Sequence, residues 1–240
     1  MIDTNTTINA GGQPEGTYWH FIPENRRLRY GDNRLVVAGE TLTAKDASIS
    51  PCQYGMHASS QAIDALNYAA GPVVSLVRLG NDALNSGDKY VSSERTAIWI
   101  YDASRLLREF ACDVAETVLL NERKAGREPD ARNFAVISIM RRFIRGEASE
   151  SEWAEADAYA SSRTAEWAAI AAVKSFTSAS AYTAGVTAYA SVDSSVAYAV
   201  VESFAARNAA KGMSNDRLTR MLLAAMNDGQ GEFEPNNARG

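Results

Sequence analysis

The stretch Gly71-Pro72-Val73-Val74-Ser75-Leu76-Val77-Arg78-Leu79 decides the fold class of this chain. Glycine followed by proline ends any helix that precedes it. The run from Val73 to Leu79 is too short for a typical helix, and it is rich in β-branched side chains, which favour strands. We therefore expect a buried strand over residues 73–79, in a chain of 240 residues that is long enough to build a core around it.

The sequence on either side of this strand predicts a sheet. Residues 60–69 have the apolar spacing of a short helix, which Ser59 or Ser60 would cap. Further strands are predicted at Tyr18–Ile22, Arg34–Val37, Lys89–Ser92 and Ala97–Tyr101. These elements predict a mixed, mostly antiparallel sheet over residues 17–101.

The sequence from residue 102 onward predicts helices instead. Apolar residues recur at helical spacing before Gly126 and again between Pro129, which is expected in the first turn of its helix, and Gly146. A last amphipathic helix is predicted over Asp216–Met226, with Asn215 as its cap. The predicted fold class is α+β, with a β-rich domain over 17–101, an all-α extension over 102–227, and disorder over 1–16 and 228–240.

Two features mark the helical extension. Ser149 and Glu152 have the spacing of a capping box, so a helix is expected to begin there. From Trp153 to Ala210 the composition is biased towards Ala, Ser and Tyr. Small residues on a helical seam allow close packing, either within the chain or across a dimer of this helical half, and both readings stay open. Residues 175–195 have poor helix propensity, so their structure is left open.

Composition and charge exclude several functional classes. The formal net charge of −5 opposes non-specific nucleic-acid binding, which needs a basic face. The polar N-terminus has no apolar signal core, and no apolar run is long enough to span a bilayer. With only Cys52 and Cys112, a disulfide framework is excluded, and a cytoplasmic location is expected. Two cysteines and two histidines cannot form a close-spaced metal site, so no metal is predicted.

The two histidines, His20 and His57, are the first candidates for a site. Each lies in a short stretch of strand-like character, in Trp19-His20-Phe21 and in Met56-His57-Ala58-Ser59. Histidine is the side chain whose ordinary pKa lies closest to neutrality, so it is a common pairing group in a pocket. Glycine-rich phosphate loops and a Gly-x-Ser-x-Gly elbow are absent from the sequence. The remaining candidates for a site are therefore residues that are spread over the first half of the chain.

The order of these residues resembles the ADP-ribosyltransferase superfamily, in particular the poly(ADP-ribose) polymerases and the tRNA 2′-phosphotransferases. Trp19-His20 is similar to that family's first strand, in which a histidine holds the ribose of NAD. Gly55-Met56-His57 is similar to its second strand, and Asn67-Tyr68 to the end of the following helix. The step of eleven residues from His57 to Tyr68 equals the family's step.

This resemblance implies an ADP-ribosyltransferase-like (ART-like) cleft that binds NAD or a related nucleotide. It implies that His20 and Tyr68 contact ribose and base, that Asn67 lies at the helix end, and that His57 and Ser59 line the mouth. Two departures bear on catalysis and leave enzyme activity open. Phe21-Ile22 replaces the family's Gly-Ser/Thr pair, and Lys89, expected with Arg95 to face solvent, lies near the position of the transferase glutamate. The phosphotransferases also need paired arginines, for which Arg78 and Arg95 are available.

A second resemblance covers most of the chain. Tyr-Trp-His-Phe, Gly-x-His-Ala-Ser, Asp64-Ala65-Leu66-x-Tyr68-Ala69 and the Ala-rich tail are similar to an uncharacterised domain of phages and prophages. It implies a phage or prophage accessory protein in the cytoplasm of an infected bacterium, with a counter-defence role and a nucleotide or a host defence protein as partner. Two alternatives stay open: an inhibitor or interaction protein that acts through its Ala-rich helices, and a virion-associated component.

Overall fold

A computed structural model describes residues 7–9, 12–45, 49–51, 53–124, 126, 128–161 and 204–235. The chain divides into two compact units. The first comprises residues 1–103 and 215–240, and the second comprises residues 104–214. The predictions for Cys52 and for residues 175–195 lie outside the described residues, as does most of the Ala-rich stretch that would form a dimer.

The described part of the first unit contains two antiparallel sheets, one short helix and the end of the last helix of the chain. The main sheet has the strand order β1-β4-β7-β2, with β8 as a further partner of β7, and the small sheet has the order β3-β6-β5. Each pairing among the described strands is antiparallel, so no parallel pair of the predicted mixed sheet is found there. The elements are β1 Thr17–Ile22, β2 Thr41–Thr43, β3 Met56–Ala58, α1 Ala62–Asn67, β4 Val73–Leu79, β5 Leu84–Asn85, β6 Tyr90–Ser92, β7 Glu94–Asp102 and β8 Glu232–Phe233.

Strand β4 has the predicted limits and lies between β1 and β7 in the main sheet. Its residues from Val73 to Val77 are all buried, as expected for a β-branched run in a sheet that is covered on both faces. Ile22 on β1 and Ala97 on β7 join Val77 in one core cluster, together with Ala58 of the small sheet. The core therefore extends from the main sheet to the small one.

A backbone bridge joins the two sheets at β1. The Trp19 amide donates to the Ser59 carbonyl at 2.7 Å, and the Ser59 amide donates to the Trp19 carbonyl at 2.9 Å. Ser59 directly follows β3, so this bridge holds the end of the small sheet against β1. His20 is the next residue after Trp19, so it lies where the two sheets meet.

Several predictions about the first unit are wrong. Residues 34–37 form no strand beyond an isolated bridge between Arg27 and Leu35, and the edge of β7 is paired instead by β2. The prediction of disorder over residues 228–240 is wrong at β8. Trp99 pairs there with Phe233, and the indole N–H of Trp99 donates to the Gln230 carbonyl at 2.7 Å. Tertiary pairing orders this segment, although its composition is that of a tail.

The last helix also differs from its prediction. It begins at Phe204 and ends at Asn227, and its residues from Asn215 onward belong to the first unit. Asn215 therefore lies inside this helix and does not cap it. Its side-chain oxygen instead accepts the amide of Ile63 at 3.3 Å, and α1 has no side-chain cap from Ser59, Ser60 or Gln61. Asn215, which is far along the chain, thus accepts a hydrogen bond from an amide at the start of α1, where a local serine was expected to provide the cap.

The described residues of the second unit lie mainly in helices, and the last helix of the chain, Phe204–Asn227, is α5. α2 spans Ser104–Lys124, α3 spans Ala131–Ile144, and α4 spans Glu150–Ser161. The capping box is confirmed, because the Ser149 amide donates to Glu152 at 2.8 Å and the Glu152 amide donates to the Ser149 hydroxyl at 3.2 Å. Pro129 was expected in the first turn of α3, which is wrong: it precedes the N-cap, which is Asp130. The fold class is α+β, and no helix among the described residues is long and apolar enough to cross a membrane.

Candidate functional site

His20 lies on the side of the main sheet that faces the small sheet. Residues two apart on a strand share a face, so His20 lies on the same side as Tyr18. The Tyr18 ring meets that of Tyr90 on β6, with centroids 4.8 Å apart. The Ser75 hydroxyl on β4 donates to the His20 carbonyl at 3.2 Å, which fixes the backbone at this position. His20 is partly buried, between the two sheets.

Arg95 contacts the backbone of His57 and lies within electrostatic range of His20. Its guanidinium donates to the backbone carbonyl of His57 on β3 at 2.5 Å, and its side chain is nearly inaccessible, with the residue 5% exposed. The charge of Arg95 acts on both imidazoles, and His57 acts on His20. The sequence placed Arg95 at the solvent, which is wrong: it lies on β7 opposite Leu79, beneath β3.

Tyr68 lies at the end of α1 and is 47% exposed. The ammonium of Lys89 lies 4.2 Å from the centroid of its ring, and its hydroxyl donates to Asp88 at 2.7 Å. Lys89 also acts electrostatically on His57. Each of the three residues that the sequence singled out, His20, His57 and Tyr68, is therefore within electrostatic range of Arg95 or Lys89. We call these five residues the basic cluster.

The other two predicted site residues differ in position. Ser59 is buried, and its backbone forms the bridge to Trp19, the residue before His20, so it holds β3 next to His20. Asn67 is partly exposed at the end of α1, and its side chain makes no hydrogen bond to the basic cluster. The structure thus brings Ser59 next to His20 through its backbone.

Burial and like charge both act on the histidines. Burial, then the charge of Arg95 and then that of His57 hold the pKa of His20 well below its ordinary value of 6.5. Burial and then the charge of Lys89 lower the pKa of His57, against a hydrogen bond with the Gly55 backbone that raises it. Burial lowers the pKa of Arg95 to about 10, so the guanidinium remains charged at neutral pH. At neutral pH both imidazoles are therefore neutral beside a buried cation.

Two elements of the resemblance, the Gly-Ser/Thr pair and the paired arginines, can be compared with the structure. Phe21 and Ile22 are buried strand residues, opposite Val74 and Val73 of β4. The paired arginines of the phosphotransferases are not assembled either. Arg78 forms a two-pronged ion pair with Glu234 at the surface, with distances of 3.1 and 2.9 Å, whereas Arg95 is buried.

The basic cluster combines hydrogen-bonding imidazoles, a buried guanidinium and a half-exposed aromatic ring. Such a set suits a ligand that carries both an anionic group and a ring that can stack. No group of three or more His, Cys, Asp or Glu residues that could hold a metal occurs within the described ranges. No protein-family model, curated protein or solved structure matches the chain.

Proposed function

We propose that this protein binds a nucleotide-type ligand, NAD or a related nucleotide, at the basic cluster. The observation that carries the proposal is that two cations, Arg95 and Lys89, lie near candidate residues from three separate segments. Arg95 donates to the His57 carbonyl and acts electrostatically on His20, and Lys89 lies on the Tyr68 ring and acts electrostatically on His57. In this proposal Tyr68 stacks on the base, and His20 and His57 contact the ribose and its substituents.

The proposal describes binding without the usual transferase catalysis. Lys89 lies near the position where the transferases carry a glutamate, and its ammonium sits on the Tyr68 ring. An ammonium is a hydrogen-bond donor without acceptor capacity, so it cannot polarise a ribose hydroxyl as a carboxylate does. Asp88, the nearest carboxylate on this loop, accepts from the Tyr68 hydroxyl. The sequence resemblances suggest the setting, an ART-like cleft in a phage or prophage accessory protein with a counter-defence role.

Calorimetry with NAD, ADP-ribose and cyclic nucleotides tests the proposal. Stacking of a base on an aromatic side chain contributes roughly 1–3 kcal/mol, so Tyr68→Ala should weaken binding about tenfold or more. Tyr30→Ala is the matched control, because Tyr30 is 94% exposed and lies on a turn away from the basic cluster in the sequence. An equal loss in both variants, or no heat with any of these compounds at high protein concentration, would refute the proposal.

A further inference from the structure

Among the described residues, the buried arginine of the basic cluster has no carboxylate partner of the kind that such a residue ordinarily has. A guanidinium has five N–H donors and is usually paired with carboxylates or phosphates when it is buried. Arg95 makes one side-chain hydrogen bond, to the carbonyl of His57, and no carboxylate of the described residues lies within ion-pair distance of it. An uncompensated buried charge is costly for the fold.

The described groups around Arg95 do not offset its charge. His20 and His57 are within electrostatic reach of it, and Lys89 is within reach of His57. Asp88 accepts a hydrogen bond from the hydroxyl of Tyr68, at the exposed end of the cluster. The electrostatic potential around Arg95, which is the inner end of the cluster, is therefore positive.

We propose that Arg95, with the imidazoles of His20 and His57, forms a subsite for a phosphate group. A phosphate matches the planar fork of a guanidinium and accepts several charge-assisted hydrogen bonds, which a neutral sugar or base does not. Neutral His20 can donate its one N–H to a phosphate oxygen, and His57, whose imidazole is hydrogen-bonded to the Gly55 backbone, can donate once it takes up a proton as a dianion arrives. This inference rests on the proposed function and deepens it, because it names the group that the inner end of the site selects.

The experiment compares four probes on the full chain: inorganic phosphate, pyrophosphate, adenosine and ADP-ribose. Phosphate and pyrophosphate should raise the thermal midpoint relative to chloride at equal ionic strength, and pyrophosphate should compete with ADP-ribose. Arg95→Met should weaken phosphate binding about tenfold to a hundredfold. Arg78→Met is the matched control, since Arg78 is exposed and paired with Glu234, and phosphate binding should be unchanged in it.

A second readout separates ligand binding from a structural role. If Arg95 serves a phosphate, Arg95→Met should have an unchanged or higher midpoint without phosphate, because an uncompensated buried charge is gone. If Arg95 instead holds β3 in place through His57, the midpoint should fall and phosphate should have no effect on the wild type. Should Arg95→Met fail to fold, Arg95→Lys and the wild-type phosphate titration give the same test.

The outcomes distinguish the subsite from the nucleotide proposal. Adenosine binding as tightly as ADP-ribose, with no effect of phosphate, would overturn the phosphate subsite and leave nucleotide binding in place. Phosphate binding that depends on Arg95, without any binding of adenosine or ADP-ribose, would support the subsite and refute the nucleotide. Equal phosphate affinity in Arg95→Met and wild type would overturn the subsite.

Discussion

Acid should destabilise this protein through its histidines well above the pH at which its carboxylates titrate. The folded pKa values of His20 and His57 are below the ordinary 6.5, because burial and neighbouring positive charges disfavour the protonated form. Arg95 on β7 and His57 on β3 are the titratable neighbours that act on His20, and β4 presents Ser75 there. Below pH 6.5 the unfolded chain therefore binds protons that the folded chain does not.

The sign and the size of this effect follow from proton linkage. Stability rises with pH wherever the unfolded state binds more protons, so the contribution is complete above pH 6.5 and is lost as pH falls towards the folded pKa values. One proton changes the free energy of unfolding by at most about 1.4 kcal/mol per pH unit. The chain has two histidines, so the loss between pH 6 and pH 5 is at most about 2.7 kcal/mol.

Urea denaturation at pH 7.5, 6.0 and 5.0 measures this loss. Tryptophan fluorescence is a suitable signal, because Trp19 and Trp99 are buried in the first unit. His20→Gln should reduce the loss between pH 6 and pH 5 by up to about 1.4 kcal/mol, and His57→Gln by less, because its pKa is lowered less strongly. A wild-type stability that is constant or rises from pH 7.5 to pH 5.0 would refute this reasoning, as would an unchanged loss in His20→Gln.

Three further predictions concern the fold. Asn215→Ala should lower the free energy of unfolding by about 1 kcal/mol, because the Ile63 amide loses its side-chain acceptor. Thermal denaturation measures this change, and an unchanged free energy of unfolding would show that water replaces the cap. Gln13→Ala should lower it by roughly 1–3 kcal/mol, because the indole N–H of Trp19, which donates to Gln13 at 2.7 Å, would be buried without an acceptor; an unfolding curve that overlays the wild type would contradict this. Cys112 is buried, and burial raises the pKa of its thiol to about 12, so it should resist iodoacetamide at pH 8 until urea is added. Mass spectrometry of peptides measures the alkylation, and rapid alkylation of the native protein would contradict the burial of Cys112.

The parts of the fold that are predictable from sequence are those with a strong local signal. Strands β1 and β4 follow from alternation or from a β-branched run, and the start of α4 follows from a capping box. Strands β2 and β8 are three and two residues long, so they are too short for a period to appear. They exist because β7 is long enough to pair with both along one edge, and a long-range pairing leaves no mark in the short segment itself.

The candidate site shows the same limit. His20, His57 and Tyr68 are chemically distinctive residues at a recognisable spacing, so the sequence points to them. Arg95 was expected to face solvent because a single arginine near the start of a strand is usually exposed, and its burial depends on how the small sheet covers β7. Its one sequence signal is its position two residues before Ala97, on a strand whose next residues are buried.

The most direct test of the central claim uses the two histidines as reporters. Because the chain has only His20 and His57, a heteronuclear NMR spectrum of the imidazoles contains one set of signals for each, and His20→Gln assigns them. Titration with ADP-ribose should shift both sets along one saturable curve, with an affinity that Tyr68→Ala weakens. If both sets stay in place at millimolar ADP-ribose and NAD while the protein remains folded, the basic cluster does not bind these nucleotides and the central claim is wrong.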